Sequence, residues 1–273
     1  MTGPTYLQFH LAFLLPALML MIATAFVSRA QMSAAVRPLG VGRTYWTGVA
    51  IITVVALAYT TPWDNYLIAE GVWWYGDGST LVHLGYAPLE EYIFIVVQPW
   101  LTALWLSHLS LPDTWPSVAR PIRSRVVATA LAVLLGVGGW LMLGSDATFY
   151  LGAIVAWAAP VLALQWAVGA PQLWARRRLV ALGTLVPTTY LCVADRIAIE
   201  YGIWVLSEQY TTGLTVAGLP VEEALFFLVT NLFVVQGLVL YRWVLDRWGA
   251  DDADVPEPPT RSGVGPDPDP ETT

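Results

Sequence analysis

The chain contains no lysine. A Schiff-base chromophore and a lysine nucleophile are therefore excluded, which removes the seven-helix photoreceptors and light-driven pumps. Its single cysteine, Cys192, can form neither an intrachain disulfide nor a cysteine metal site. Only three histidines occur, His10, His83 and His108. They make no H-x-x-x-H or H-E-x-x-H pattern, so no metal centre is expected. Gly136, Gly138 and Gly139 do not complete G-x-G-x-x-G and lie inside an apolar run, so no dinucleotide cofactor is expected. Charge is scarce as well. Charged residues make up 12% of the 273 positions, about half the share of a soluble domain.

What fills the chain is apolar. Hydrophobic residues make up 56% and fall in seven blocks, about 6–28, 46–66, 88–108, 126–143, 149–168, 179–199 and 220–243. Each is close to the length that crosses a bilayer as a helix, roughly 20 residues. Backbone polar groups in hydrocarbon need internal partners, so the blocks are expected to be helical. The first block has no basic residue before it and is too long for a signal-peptide core, so it is read as a spanning helix. From Gly249 onward the chain turns to Asp, Pro, Glu, Gly and Thr, the composition of a solvated tail.

Arginine sets an orientation. Arg29, Arg37 and Arg43 follow the first block, Arg120, Arg123 and Arg125 the third, Arg176, Arg177 and Arg178 the fifth, and Arg242 and Arg247 the seventh. The intervening loops hold Asp64, Glu70, Asp77, Asp146, Glu200 and Glu208, with Arg196 the one basic residue. The positive-inside rule places the N-terminus outside the cell membrane and the C-terminus in the cytoplasm of a multi-pass protein.

One acidic and aromatic pattern is written twice. Asp64, Gly71, Trp73, Pro88, Glu90, Glu91 and Phe94 return as Asp195, Gly202, Trp204, Pro220, Glu222, Glu223 and Phe226. The offset is 131 for the D-x6-G-x-W part and 132 for P-x-E-E-x-x-F. The expected fold is an all-α membrane protein of seven transmembrane helices, built from two parallel three-helix repeats joined by a linker helix. The division is 1–110 for the first repeat, 111–148 for the loop and linker helix, 149–248 for the second repeat and 249–273 for the tail. Parallel copies open both motifs on the same face, the outer one by the arginine pattern.

Taken alone, either P-x-E-E reads as a helix start, where proline and acidic residues are at home. Two copies in register with Asp, Gly, Trp and Phe point to one shared site. Glu90, Phe94, Gln98 and Leu101 share a helical stripe, and so do Glu222, Phe226 and Thr230. Glu91 and Glu223 lie about 100° round from their neighbours, so at most one glutamate of each pair points squarely into the bundle. Ionisable side chains facing lipid are costly and should face the interior. There, desolvation and mutual repulsion oppose the helix N-terminus in setting their protonation, and the coupled set can serve as general acid. Asp64 and Asp195, placed at the ends of the second and sixth blocks, are expected to hold or tune the glutamates. Asp195 is also next to Arg196, an ion pair in waiting. Gly71 and Gly202 read as turn glycines. Trp73 and Trp204 suit either an interfacial belt or a cavity wall that stabilises a cation.

The paired P-L-E-E and P-V-E-E motifs, each preceded by D-x6-G-x-W, resemble the integral-membrane lycopene cyclases of archaea, fungi and some bacteria. The resemblance covers about residues 5–245. In some bacterial members the halves are separate subunits; here they look fused, and a homo-oligomer is compatible with that pattern. The resemblance implies a redox-neutral cyclisation of the acyclic ψ ends of lycopene to β-ionone rings, giving β-carotene via γ-carotene, without a cofactor. It implies Glu90, Glu91, Glu222 and Glu223 as the acid/base set, and Trp73, Phe94, Gln98, Trp204, Phe226 and Thr230 against a carotenoid substrate entering from the lipid. No nucleic-acid partner is expected. Other readings stay open. A related carotenoid enzyme, such as a C50 cyclase or a hydratase, shares the protonation step. A small-molecule or proton transporter also fits parallel repeats, although transporter sites usually sit in mid-helix.

Overall fold

The computed structural model describes residues 3–31, 42–109, 115, 117 and 120–253. The segment 32–41 with Arg37, and most of the expected tail, 254–273, lie outside the described residues. Every apolar block is helical. The N-terminal rod consists of α1 (Tyr6–Phe9), a π-helical stretch at His10–Leu14 and α2 (Leu15–Gln31). It is followed by α3 (Arg43–Ala69), α4 (Leu89–Leu106), α5 (Pro121–Met142), α6 (Phe149–Ala175), α7 (Arg177–Glu200) and α8 (Val221–Ala253). The final helix runs past Gly249, because no residue forbids helical backbone until the neighbourhood of Pro256.

Among the described residues, five helices are long and apolar enough to cross a membrane: Tyr6–Ala25, Arg43–Ala69, Pro121–Met142, Asp146–Ala175 and Val221–Trp248. The other two are the polar ones. Glu90, Glu91 and Gln98 sit on α4, and Arg177, Arg178, Asp195 and Arg196 on α7. The faces of α5 are the most exposed, with Val126, Leu134 and Trp140 all outward, an apolar surface suited to lipid rather than water.

Asp64 and Asp195 do not close their helices. The apolar pattern continues through Leu67 and Ala198, both fully buried, so α3 and α7 run a further turn. Both aspartates therefore project sideways into the bundle. Gly71 and Gly202 then turn the chain with φ of 76° and 67°, a region open to glycine and costly to other residues.

After each turn comes a short strand, a feature absent from the helical pattern. Strand β1 (Trp73–Tyr75) pairs antiparallel with β4 (Trp204–Leu206), in the register Trp73 with Leu206, Trp74 with Val205 and Tyr75 with Trp204. Beyond the strands, the Gly76 amide donates to the Ile203 carbonyl (3.1 Å) and the Ser207 amide to the Val72 carbonyl (2.8 Å). This ladder is symmetric about Trp74 and Val205. Two hairpins follow, β2 (His83–Leu84) with β3 (Ala87–Pro88), and β5 (Thr215–Val216) with β6 (Leu219–Pro220). Each leads directly into a glutamate-bearing helix, α4 or α8. Asn65 fastens the first hairpin by accepting from the amides of Tyr86 (2.8 Å) and Ala87 (3.1 Å). Arg196, one residue after its aspartate as Asn65 is, fastens the second by donating to the Ala217 carbonyl (2.6 Å) instead of pairing with Asp195.

The crossing of the two strands leaves no room at Gly76, where a Cβ would run into the Gly202 carbonyl. Gly78 has φ of 71° and open space around it. Gly78→Ala is expected to cost about 1–2 kcal/mol from left-handed strain alone. Gly76→Ala should cost more by forcing β1 from β4, and thermal unfolding of the two variants in detergent measures the order.

Candidate active site

The strand ladder, the ends of α3 and α7 and the starts of α1, α4, α6 and α8 surround one cavity of about 50 Å³. Four carboxyls line it: Asp64, Glu91, Asp195 and Glu223. Its walls are aromatic, including Trp63, Trp73, Trp204, Phe94 and Phe226. No arginine or histidine is among the lining residues. The carboxyls lie close enough to interact electrostatically, Asp64 with both glutamates and Asp195 with both as well. With four carboxyls on one small cavity, a proton leaving one member can be taken up by another.

The glutamates of each pair are separated by their helical positions. Glu91 and Glu223 face the cavity. Glu90 and Glu222 are fully buried on the other side of the helix start and accept from the loop, Glu90 from the Leu81 amide (2.9 Å) and Glu222 from the Thr212 amide (2.7 Å). They clamp each hairpin to its own helix. The remaining oxygen of each, Oε2, is buried without a hydrogen-bond partner among the described residues.

Tyrosines hold the cavity glutamates. Tyr6, at the first position of α1, donates to Oε2 of Glu91 (2.9 Å). Tyr150, one residue into α6, donates to Oε1 of Glu223 (2.8 Å). The Tyr6 amide is anchored to the Ser79 carbonyl (2.7 Å) and the Tyr150 amide to the Tyr210 carbonyl (3.1 Å), so the two phenols are placed alike. Symmetry then breaks. Tyr75 adds a second donor to Oε2 of Glu91 (3.0 Å) and receives the Trp73 indole N–H (3.2 Å). Burial and the neighbouring Glu91 push the Tyr75 phenol well above its ordinary pKa, so it stays a hydrogen-bond donor. The matching position in the second half is Leu206, which has no hydroxyl, and there Trp204 lines the cavity with Asp195.

Of the residues singled out from the sequence, Asp64, Asp195, Glu91, Glu223, Trp73, Trp204, Phe94 and Phe226 meet in this cavity. Gln98 and Thr230 lie a turn deeper, along a neighbouring apolar groove shared with Phe94 and Phe226. Gln98 donates to Asn231 (2.6 Å), which in turn donates to Thr188 (3.0 Å), a buried polar clasp joining α4, α8 and α7. Thr230 bonds back to the carbonyl of Phe226 (2.9 Å). Tyr6, Tyr75, Tyr150 and Trp63 were not singled out. A Tyr-Leu pair does open both the first and the fifth apolar block, but two residues are too short a signal among twelve tyrosines.

A lycopene cyclase family model matches residues 4–109 and 147–242, the two stretches that carry the cavity's residues. The chain belongs to the lycopene cyclase family. It is 59% identical over 202 residues to proteins named lycopene beta-cyclase from two strains of Halobacterium salinarum, covering 74% of this chain and 84% of theirs. It is 35% identical over 202 residues to a bifunctional lycopene cyclase/phytoene synthase of Aspergillus niger, covering 70% of this chain and 34% of that one. No solved structure matches.

Tyr150→Phe leaves Oε1 of Glu223 buried without its donor, a cost of about 1–3 kcal/mol. Tyr6→Phe leaves Glu91 with Tyr75 still in place, so its cost is expected to be smaller. Thermal midpoints in detergent, compared between the two variants, check this order.

Proposed function

We propose that this chain is a lycopene β-cyclase that closes the ψ ends of lycopene by protonation and deprotonation within the carboxyl cavity. One carboxyl adds a proton to the terminal C=C bond. The tertiary cation is attacked by the nearby double bond, and the new C–C bond closes a six-membered ring. A second carboxyl removes a ring proton and restores a C=C bond. One proton is added and one removed, so no redox partner takes part. The aromatic walls face the cation and stabilise it, about 0.5–2 kcal/mol for each well-placed ring. A hydrocarbon has no polar handle, so shape and apolar contact must hold it.

The observation that carries this reading is the meeting of Glu91 and Glu223, from opposite halves, in one aromatic cavity. They are the proposed acid and base. Tyr6, Tyr75 and Tyr150 orient them, and Asp64 and Asp195 complete the coupled set. Glu90 and Glu222 act on structure, by fixing the hairpins against the helix starts. The C50-cyclase and hydratase readings share the first step. For a hydratase, water must reach the cation, and the crowded aromatic walls favour deprotonation.

The wider architecture belongs to the same proposal. Seven spans in two parallel repeats, with the N-terminus outside and the C-terminus cytoplasmic, are supported by the alternation of arginine between loops and by the matched hydrogen bonds of the two halves. The carotenoid then enters from the lipid, and the cavity lies toward the outer face.

Glu91→Gln and Glu223→Gln keep shape and remove the acid. Each is expected to lower lycopene conversion by about 10²–10⁴-fold, the usual contribution of a general acid or base. Glu90→Gln and Glu222→Gln retain an oxygen acceptor for the loop amide and should keep most activity. Pigment analysis after expression in a lycopene-accumulating bacterium reads all four. Unchanged lycopene with correctly inserted wild-type protein would refute the reading.

A further inference from the structure

Beside the carboxyl cavity runs an apolar groove of about 400 Å³ between α3, α4, α6 and α8. Phe94 and Phe226 belong to both spaces and form the partition between them. At the mouth of the groove Val55 and Leu164 are 59% and 67% exposed, an apolar opening on the outside of the bundle. A ladder of stacked rings leads inward. Tyr59 stacks on Trp157 (5.4 Å, 22°), Trp157 on Trp63 (4.8 Å, 24°) and Trp63 on Phe226 (5.8 Å, 7°). The Tyr59 hydroxyl fixes the outer step by donating to the Trp157 carbonyl (2.8 Å). From Ile52 to Trp63 the groove and ladder follow α3 for about 16 Å at 1.5 Å per residue.

Two further features set this side apart. The indole N–H groups of Trp63 and Trp157 are buried with no acceptor among the described residues. The π face of a conjugated chain is a weak acceptor for such donors. Among the described residues, the corresponding place beside α7 and the N-terminal rod is filled by side chains. There Leu14 and Leu191, each 2% exposed, pack with Phe94, Leu101 and Phe227, and the Gln98–Asn231–Thr188 clasp crosses alongside.

We propose that this groove binds the polyene body of the substrate and delivers its ends to the carboxyls one at a time, past Phe94 and Phe226, through a single portal. The proposal rests on the cyclase reading and adds the route and its one-sidedness. The cavity of about 50 Å³ has room for a few water molecules. The two phenylalanines therefore swing aside when a branched end enters. With one portal, a singly cyclised carotenoid must back out into the bilayer before its second end is processed. The monocyclic compound is then a released intermediate.

The test fills the groove. Ala56 lines it, whereas Val54 on the same helix is 68% exposed and lies outside it. In nanodiscs, lycopene binding to the Glu91→Gln protein is followed by quenching of tryptophan fluorescence. Adding Ala56→Trp is expected to weaken that binding by about tenfold or more, and Val54→Trp to leave it unchanged. In the active protein Ala56→Trp should lower kcat/KM by a similar factor, and early time points should contain free monocyclic product. If Ala56→Trp does not fold, Leu164→Trp at the exposed mouth replaces it. Wild-type binding and turnover in the folded filled variant would overturn the route. Bicyclic product appearing with no free monocyclic compound would overturn delivery of one end at a time. If Glu91→Gln binds lycopene as described but the wild type does not consume it, the cyclase reading fails and the groove remains.

Discussion

The short antiparallel ladder between Trp73–Tyr75 and Trp204–Leu206 holds the two halves of the site in one frame. Its hydrogen bonds join segments far apart in the chain, each flanked by a glycine turn on one side and a hairpin on the other. Through those connections it fixes where α3 and α7 end and where α4 and α8 begin. Asp64 and Asp195 lie within two turns of the first pair of ends, and Glu91 and Glu223 in the first turn of α4 and α8.

The second constraint is burial. Carboxyls on apolar helices cannot face lipid without a large cost, and those of the two motifs turn inward to a donor or to the cavity. The two glutamates of each motif solve this differently because they are 100° apart on the helix. One closes the hairpin above it, and the other meets its counterpart. A doubled acidic pair thus serves structure and chemistry with adjacent residues. The tyrosines that receive the cavity glutamates come from α1, α6 and β1, so helix packing and strand pairing decide how each carboxyl is held.

Much of this was legible in the sequence. The positions of the helices follow from apolar runs that only internal hydrogen bonding can carry. Asp64, Trp73 and Phe94, with their counterparts, stood out because two copies in register are hard to explain as helix starts alone. The strands were not legible. Three-residue segments such as Trp73–Tyr75 have no periodicity to read, and their partner is 131 residues away. Nor could the ends of α3 and α7 be placed from the aspartates, since a buried Asp inside a helix and one at its terminus look alike until the neighbours are known.

The amino-acid order by itself determined that the protein is helical and apolar, that its acids come in two matched groups, and which residues those groups contain. These are properties of local composition and spacing. Only the tertiary structure decided that Glu91 and Glu223 share a cavity while Glu90 and Glu222 clamp loops, and that Tyr75 donates to Glu91. It also decided that an open groove lies on one side and a filled core on the other. These depend on side-chain direction and on which surfaces meet, and no spacing along one chain contains the distance between two helices.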